Sequence, residues 1–219
     1  MSTTDTIPDR LLREYESKHT SYKRAVDVVQ ATLEYELLPI RTRLLPYERL
    51  EIVGRVKSFD SAFRKLQGEG RFFDPDRTEE YTFDSLGDMA GVKVRVCPNA
   101  YLAIIHEIIR DTYPDCREDH TPAWREDPEF FDEVDQLQYF VSPPAKYSIE
   151  CQCEIQVVPW ILDRYREIEH DIVYKPHASL SKRIELELKE YDIAVTESIK
   201  AFMKEFARIA SADSVPASG

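Results

Sequence analysis

The sequence predicts an α+β fold, a single mixed β-sheet flanked by helices, with helical extensions at both ends. Three observations predict it. Val92, Val94 and Val96 alternate with Lys93 and Arg95, the period of a strand. Long segments near both termini repeat apolar residues every three or four positions, the period of a helix. Between them the periodicities run helix, helix, strand, helix, strand, strand, helix, helix, an order that builds one sheet with helices against it.

Taken in order, residues 1–8 are polar and expected to be disordered. From Asp9 to about Leu38, Leu12, Tyr15, Tyr22, Val26, Val29, Leu33 and Leu37 keep a helical rhythm that Pro39 and Pro46 end, and a second helix begins near Ser58. Read as a helix, Gly54–Leu66 puts Phe59, Ala62, Phe63 and Leu66 on one apolar stripe. Lys57, Ser61 and Lys65 form a second stripe, with Arg55 at the helix entrance. Gly68–Asp84 is turn-rich and charged, a surface loop or lid. Met89–Cys97 is a strand buried on one face, stopped by Pro98-Asn99, and Ala100–Thr112 is a helix. Residues 113–133 form a long acidic loop holding Trp124, Phe130 and Phe131. Leu137–Val141 and Ser148–Val158 are strands joined at Ser142-Pro143-Pro144, and Ile161–Tyr174 and Ser179–Ala212 are helices. The last is long, amphipathic and charged, the shape for a contact with a second copy. One domain over 9–210, followed by a disordered tail at 211–219, accounts for the chain.

Composition narrows the function. With 42% hydrophobic and 32% charged residues, the 219-residue chain reads as a soluble globular protein. It has no apolar run near the roughly 20 residues that span a bilayer, and no leader-like segment. A formal charge of −12 argues against broad binding to DNA or RNA, while leaving room for a local basic pocket. Cys97, Cys116, Cys151 and Cys153 lack zinc-type spacing and read as reduced structural thiols of a cytoplasmic protein.

Polar residues cluster around this frame. Three cations and a hydroxyl where a helix begins suit a polyphosphate, which needs positive charge and free N–H donors together. The same spacing also fits a solvated basic face. Asp88 stands just before a strand, and Glu154 alternates outward with Gln152 and Gln156. Two carboxylates at the ends of paired strands suit Mg²⁺, a hard cation that prefers oxygen ligands near phosphates. Asp88 as a turn or cap residue and Glu154 on a solvent face are the plainer readings. His170 and Tyr174, with Glu167, fall on one helical face, while Glu169-His170 also suits a plain surface pair.

The motifs in this order resemble the RelA/SpoT synthetase domain, a nucleotide pyrophosphokinase with a nucleotidyltransferase-like fold. They are Arg55-x-Lys57-x3-Ser61-x3-Lys65, Asp88-Met89-Ala90-Gly91-Val92-Lys93, Cys153-Glu154-Ile155-Gln156-Val157 and Glu169-His170-x3-Tyr174-Lys175. The resemblance covers about residues 45–180, and the length is similar to that of the small stand-alone alarmone synthetases. It implies transfer of the β,γ-pyrophosphate of ATP to a hydroxyl of a nucleotide or nucleotide-like acceptor. Arg55 would stack on the adenine with Lys93 on its other face, and Lys57, Ser61 and Lys65 would contact the triphosphate. Asp88 and Glu154 would hold Mg²⁺, with Glu154 also deprotonating the attacking hydroxyl. Gln156 and His170 would lie on the acceptor side.

The chain departs from that pattern in two places. The family usually carries Arg at the Lys93 position, and an ammonium stacks less well than a guanidinium. A Gly-Tyr-x-Ser-x-His segment, whose Tyr stacks on the acceptor guanine, is matched here by Glu133-Val134-Asp135-Gln136-Leu137-Gln138. With Val134 for Tyr and acidic neighbours, GDP and GTP are expected to be poor acceptors. A toxin-like variant acting on a tRNA 3′ end and an inactive nucleotide- or partner-binding protein are the alternatives.

Overall fold

The computed structural model describes residues 7–68, 81–120, 134–169 and 182–213. In chain order the elements are α1 (Ile7–Glu36), α2 (Leu38–Arg41), β1 (Arg49–Val56), α3 (Phe59–Gly68), β2 (Ala90–Cys97), α4 (Tyr101–Thr112), β3 (Arg117–Glu118), β4 (Leu137–Val141), β5 (Cys153–Pro159), α5 (Trp160–Glu169) and α6 (Lys182–Asp213). The five strands form one mixed sheet in the order β1-β2-β5-β4-β3, with β2 and β5 parallel and every other pair antiparallel. This is the α+β architecture expected from the periodicities.

Alternation along the strands divides the sheet into two faces. Leu50, Ile52, Val92, Val94 and Val96 point to one side, where they meet Ala25, Val26, Val29 and Leu33 of α1 and Leu102, Ile105 and Ile109 of α4 in a continuous core. The buried α1 residues recur at three- and four-residue steps, which is why this 30-residue helix lies along the sheet. It sits unusually close at Gly54, where an added Cβ would come within 2.3 Å of the Val26 side chain. The opposite face carries Glu51, Lys93, Arg95, Glu154 and Gln156, and α5 covers part of it.

Several expectations change. Residues 49–56 are an edge strand, so Arg55 lies on β1 and Lys57 in the turn after it, while the helix starts at Phe59, beside the start expected near Ser58. Gly54 and a charged alternating pattern had made this strand read as the first turn of α3. The strand expected from Ser148 begins at Cys153. Before it, residues 145–147 form a 3-10 turn that ends in left-handed Ser148 (φ 51°). Arg117–Glu118 adds a two-residue strand inside the expected acidic loop. The first helix begins at Ile7 and buries Leu11, leaving Leu12 exposed, and α6 continues to Asp213.

The strand over 90–97 is also buried on both faces, not one. Arg95 is only 6% exposed, because α5 brings Asp163 and Glu167 over it. Its Nε donates to Asp163 Oδ2 at 2.6 Å, Nη1 lies 3.3 Å from Glu51 Oε2, and Nη2 donates to Glu167. A guanidinium can be buried here because three carboxylates face its donors.

The terminal helix forms as expected and docks through Met203, Phe206 against Tyr47, and Lys200 to Asp135. Its Tyr191, Ile193 and Phe202 remain exposed. No helix among the described residues is long and apolar enough to cross a membrane. The four cysteines are free thiols. His170, Tyr174, residues 69–80 of the loop expected over Gly68–Asp84, and the loop aromatics Trp124, Phe130 and Phe131 lie outside the described residues, while the end of that loop buries Tyr81 and Phe83 instead of lying on the surface.

Candidate active site

Three elements bring the expected cations to Asp88. The β1–α3 turn is fixed from below: Tyr15 on α1 donates to the Lys57 carbonyl at 3.1 Å and packs its ring on Phe59 and Phe83. The Lys57 N–H donates to the Met89 carbonyl at 2.9 Å, joining this turn to the entrance of β2. Ser58 caps α3, its Oγ accepting from the Ser61 N–H at 3.3 Å and donating to Ser61 Oγ at 3.0 Å. Ala62 and Leu66 anchor the helix in the core, which leaves Ser61 and Lys65 on its outer side.

Asp88 enters from the other side. Gly87 rests on the Phe140 ring so closely that a Cβ there would meet Phe140 Cε1 at 2.6 Å, so only glycine allows this turn. Phe140 is the β4 residue paired with Glu154. The turn therefore delivers Asp88 to the end of the sheet where Glu154 stands. Asp88 Oδ2 accepts from Lys57 Nζ at 2.7 Å and Lys65 Nζ at 3.0 Å. Burial pushes the Asp88 carboxyl up, but the hydrogen bonds and charges of the two ammonium groups outweigh it and hold the group below the usual carboxylate range. Its Oδ1 is buried without a hydrogen-bond partner.

Glu154 is 4% exposed on β5, directly opposite Gly91 of β2. Gln138 Nε2 donates to Glu154 Oε1, and Gln136 Nε2 donates to Gln138 Oε1 at 3.1 Å. Glu154 Oε2 and Arg55 Cγ both lie 3.9 Å from the position a Cβ on Gly91 would take. Arg55 and the Glu154 carboxylate thus share the open space above that glycine. The Arg55 guanidinium makes no ion pair or hydrogen bond among the described residues.

Lys93 stands on the same face, but its Nζ donates to Asp163 Oδ1 at 2.7 Å, so its charge is committed to α5. Gln156 is half-buried beside Gln138, its cross-strand partner. Sequence reasoning missed Gln138 and Asp163 as neighbours of the site. The signal for Gln138 was present in its two-residue spacing from Gln136, which places both on the face that carries Glu154.

Val134, aligned with the expected guanine-stacking position, is 1% exposed and belongs to the hydrophobic core. Its neighbour Asp135 is neutralised by Arg166 at 2.8 Å and Lys200 at 3.1 Å, so this acidic flank does not project an unpaired charge as the sequence had suggested.

A second polar group lies behind β4. His106, Glu118 and His120 each offer a ligand atom, all within 4.8 Å of one another, among the described residues. Hydrogen bonds close this group. The Gln138 N–H donates to His120 Nδ1 at 3.1 Å, which leaves the ring proton on Nε2, facing Glu118 at 2.9 Å. His106 Nδ1 pairs with the Tyr139 hydroxyl at 2.7 Å. An imidazole whose outward nitrogen carries its proton is not set to ligate a metal.

No family model and no curated protein matches the chain. Solved structures do. The chain is similar to small alarmone synthetase 1 from Bacillus subtilis, with a TM-score of 0.64, 18% identity, and coverage of 91% of this chain and 97% of that one. It is also similar to small alarmone synthetase 2 from the same organism, with a TM-score of 0.63, 19% identity, and coverage of 90% and 98%. A GTP pyrophosphokinase family protein from Streptococcus pneumoniae follows with a TM-score of 0.60, 20% identity, and coverage of 88% and 92%. Structures of the first of these synthetases hold its product pppGpp and the ATP analogue AMPCPP. Over nearly its whole length, the chain has the fold of the small alarmone synthetases.

Proposed function

We propose that the protein is a Mg²⁺-dependent pyrophosphokinase that moves the β,γ-pyrophosphate of ATP to a hydroxyl. The observation that carries this reading is Asp88 Oδ1, a buried carboxylate oxygen without a partner beside two lysines, at the end of the sheet where Glu154 stands. A buried acceptor in that position is costly unless a ligand completes it. Oxygen donors from two carboxylates fit Mg²⁺, so Asp88 and Glu154 would hold the ion. When bound, Mg²⁺ neutralises charge on the transferring phosphates. ATP as donor also agrees with the AMPCPP held by the similar Bacillus subtilis synthetase.

The chain's own groups do the remaining work. Lys57 and Lys65 turn from Asp88 towards the triphosphate, Ser61 and the N-terminus of α3 add donors, and Arg55 stacks on the base. Lys93 would close the other face of the base with its aliphatic stem, its ammonium staying on Asp163. Glu154 Oε2 takes the proton of the acceptor hydroxyl. The hydroxyl oxygen then bonds to the β-phosphorus as the bond from that phosphorus to the α–β bridging oxygen breaks, releasing AMP. Catalysis is positioning and charge stabilisation, with no covalent enzyme intermediate.

On the acceptor side, Gln156 lies on this face and His170 is assigned by its motif alone. Val134 in the core leaves the guanine-stacking ring without a counterpart, so the acceptor is a hydroxyl of a nucleotide or nucleotide-like molecule for which GDP and GTP are poorly suited. Incubating the protein with γ-labelled ATP, Mg²⁺ and a panel of nucleotides and tRNA, then weighing the products, identifies it. A product heavier by one pyrophosphate supports the reading. Consumption of no ATP with any acceptor would leave a nucleotide-binding protein without turnover.

A further inference from the structure

One row of residues crosses the whole sheet on the face that carries Glu154. Arg55 of β1 stands opposite Gly91 of β2, and Gly91 stands opposite Glu154 of β5. Glu154 in turn faces Phe140 of β4, and Phe140 faces Arg117 of β3. Directly paired residues lie on the same side of a sheet, so all five positions share one face. Glu154 is the midpoint, and each arginine stands two strands away, roughly 10 Å at the usual strand spacing. The Arg55 end is the one the proposed function gives to ATP.

At the other end the Arg117 guanidinium lies over the Phe140 ring, 4.0 Å from its centroid. That ring is held in turn by Gly87 and is only 8% exposed. A guanidinium resting on a ring still has its N–H donors to offer. Arg117 is exposed, and its guanidinium makes no ion pair or hydrogen bond among the described residues. The cations around it are committed: Arg110 to Glu118 at 3.2 Å, and Arg166 and Lys200 to Asp135 at 2.8 and 3.1 Å. The next row on this face is the neutral pair Gln138 and Gln156.

We propose that Arg117 binds a phosphate of the acceptor, which makes this end of the row the acceptor subsite. The inference rests on the pyrophosphokinase reading for Glu154 as the group that meets the attacking hydroxyl. It deepens that reading by naming the acceptor class: a nucleotide, free or at an RNA end, and not an unphosphorylated nucleoside. A phosphate can take two N–H donors of one guanidinium, a contact that needs no guanine-stacking ring. The span from Glu154 to Arg117 leaves room for a ribose between the hydroxyl and the phosphate. Resting on Phe140, the long Arg117 side chain has less freedom to lose on binding.

The test fills the donor half with AMPCPP and Mg²⁺. The four ribonucleoside 5′-monophosphates, their parent nucleosides and the RNA trinucleotide CCA are then titrated separately. Protein labelled with ¹⁵N-arginine reports the Arg117 Nε–H signal, assigned by its loss in Arg117→Gln. At least one phosphorylated probe is expected to move that signal and to bind Arg117→Gln about ten- to a hundredfold more weakly than the wild type. Arg117→Lys keeps the charge without the fork of donors and should fall between. The nucleosides should bind all three proteins alike. Tighter binding of a monophosphate marks a free nucleotide as the source of the phosphate, and tighter binding of CCA marks an RNA end. An Arg117 signal that no phosphorylated probe moves, or equal affinity in Arg117→Gln, overturns the proposal. Failure of the pyrophosphokinase reading looks different: binding that depends on Arg117, with no product from any probe when ATP replaces AMPCPP.

Discussion

The Lys57 ammonium lies 2.7 Å from Asp88 Oδ2, and it reaches that carboxylate from a turn rather than a helix. Lys65 arrives at the same oxygen from within α3, at 3.0 Å. The two cations therefore converge through tertiary structure. Asp88 holds both ammonium groups at one point, the place that the proposed function gives to a triphosphate.

This convergence predicts the ATP-binding energy. Each charge-assisted contact is worth roughly 1.5–3 kcal/mol, about ten- to a hundredfold in affinity. Lys57→Ala or Lys65→Ala should weaken ATP binding by that factor in isothermal titration. A double variant with unchanged affinity would show that the pair forms only a structural ion cluster.

Asp88→Asn and Glu154→Gln are expected to abolish turnover while keeping the far-ultraviolet spectrum. Asp88→Asn also removes the charge that Lys57 and Lys65 share, so ATP alone, without Mg²⁺, should bind at least as well as in the wild type. Weaker metal-free binding would contradict the assignment of Asp88 to the metal rather than to the nucleotide.

Guanine acceptors are expected to be poor, because Val134 is packed in the core. Stacking on a base contributes about 1–3 kcal/mol, which this position does not supply. Val134→Tyr should not create the contact. It should overpack the core and lower stability by about 1–3 kcal/mol in urea unfolding. Efficient conversion of GDP or GTP by the wild type would show that another ring serves.

The pH dependence of stability follows from groups on both sides of β4. Burial lowers the His106 and His120 pKa values, which the nearby carboxylates only partly reverse. The unfolded chain therefore binds these protons first, and stability should fall as pH drops below about 6.5. Asp88 adds a second loss. Its depressed carboxyl contributes stability above about pH 4, which disappears as pH falls through the folded value. Urea unfolding across pH should show a shallower slope between pH 6.5 and 5 in His106→Gln/His120→Gln than in the wild type. An equal slope would mean that the pair is not what responds.

The sheet was legible where alternation was strong, as in β2 and β4, and where a motif and strand coincided, as in β5. It was not legible in β1, where Gly54 and Arg55, followed by Lys57 in the next turn, obscure an edge strand and imitate helical spacing. Arg55, Lys57, Ser61 and Lys65 were singled out in spite of that error because residue chemistry, not secondary structure, selected them. The partners of Lys93, Arg95 and Asp135 were not readable at all. Asp163, Glu167, Arg166 and Lys200 are distant in sequence, and only the packing of α5 and α6 brings them to the sheet. Gln138 was noticed as a substitution, and its hydrogen bonds to Glu154 and Gln136 emerged only from the pairing of β4 with β5.

The central claim is cleavage at the β-phosphorus of ATP, and ³¹P NMR of the reaction with the acceptor found in the panel tests it most directly. The account predicts AMP as the nucleotide product in equal amount to an acceptor that carries both the β- and γ-phosphates, with neither formed by Glu154→Gln. Release of ADP with transfer of a single phosphate would contradict it.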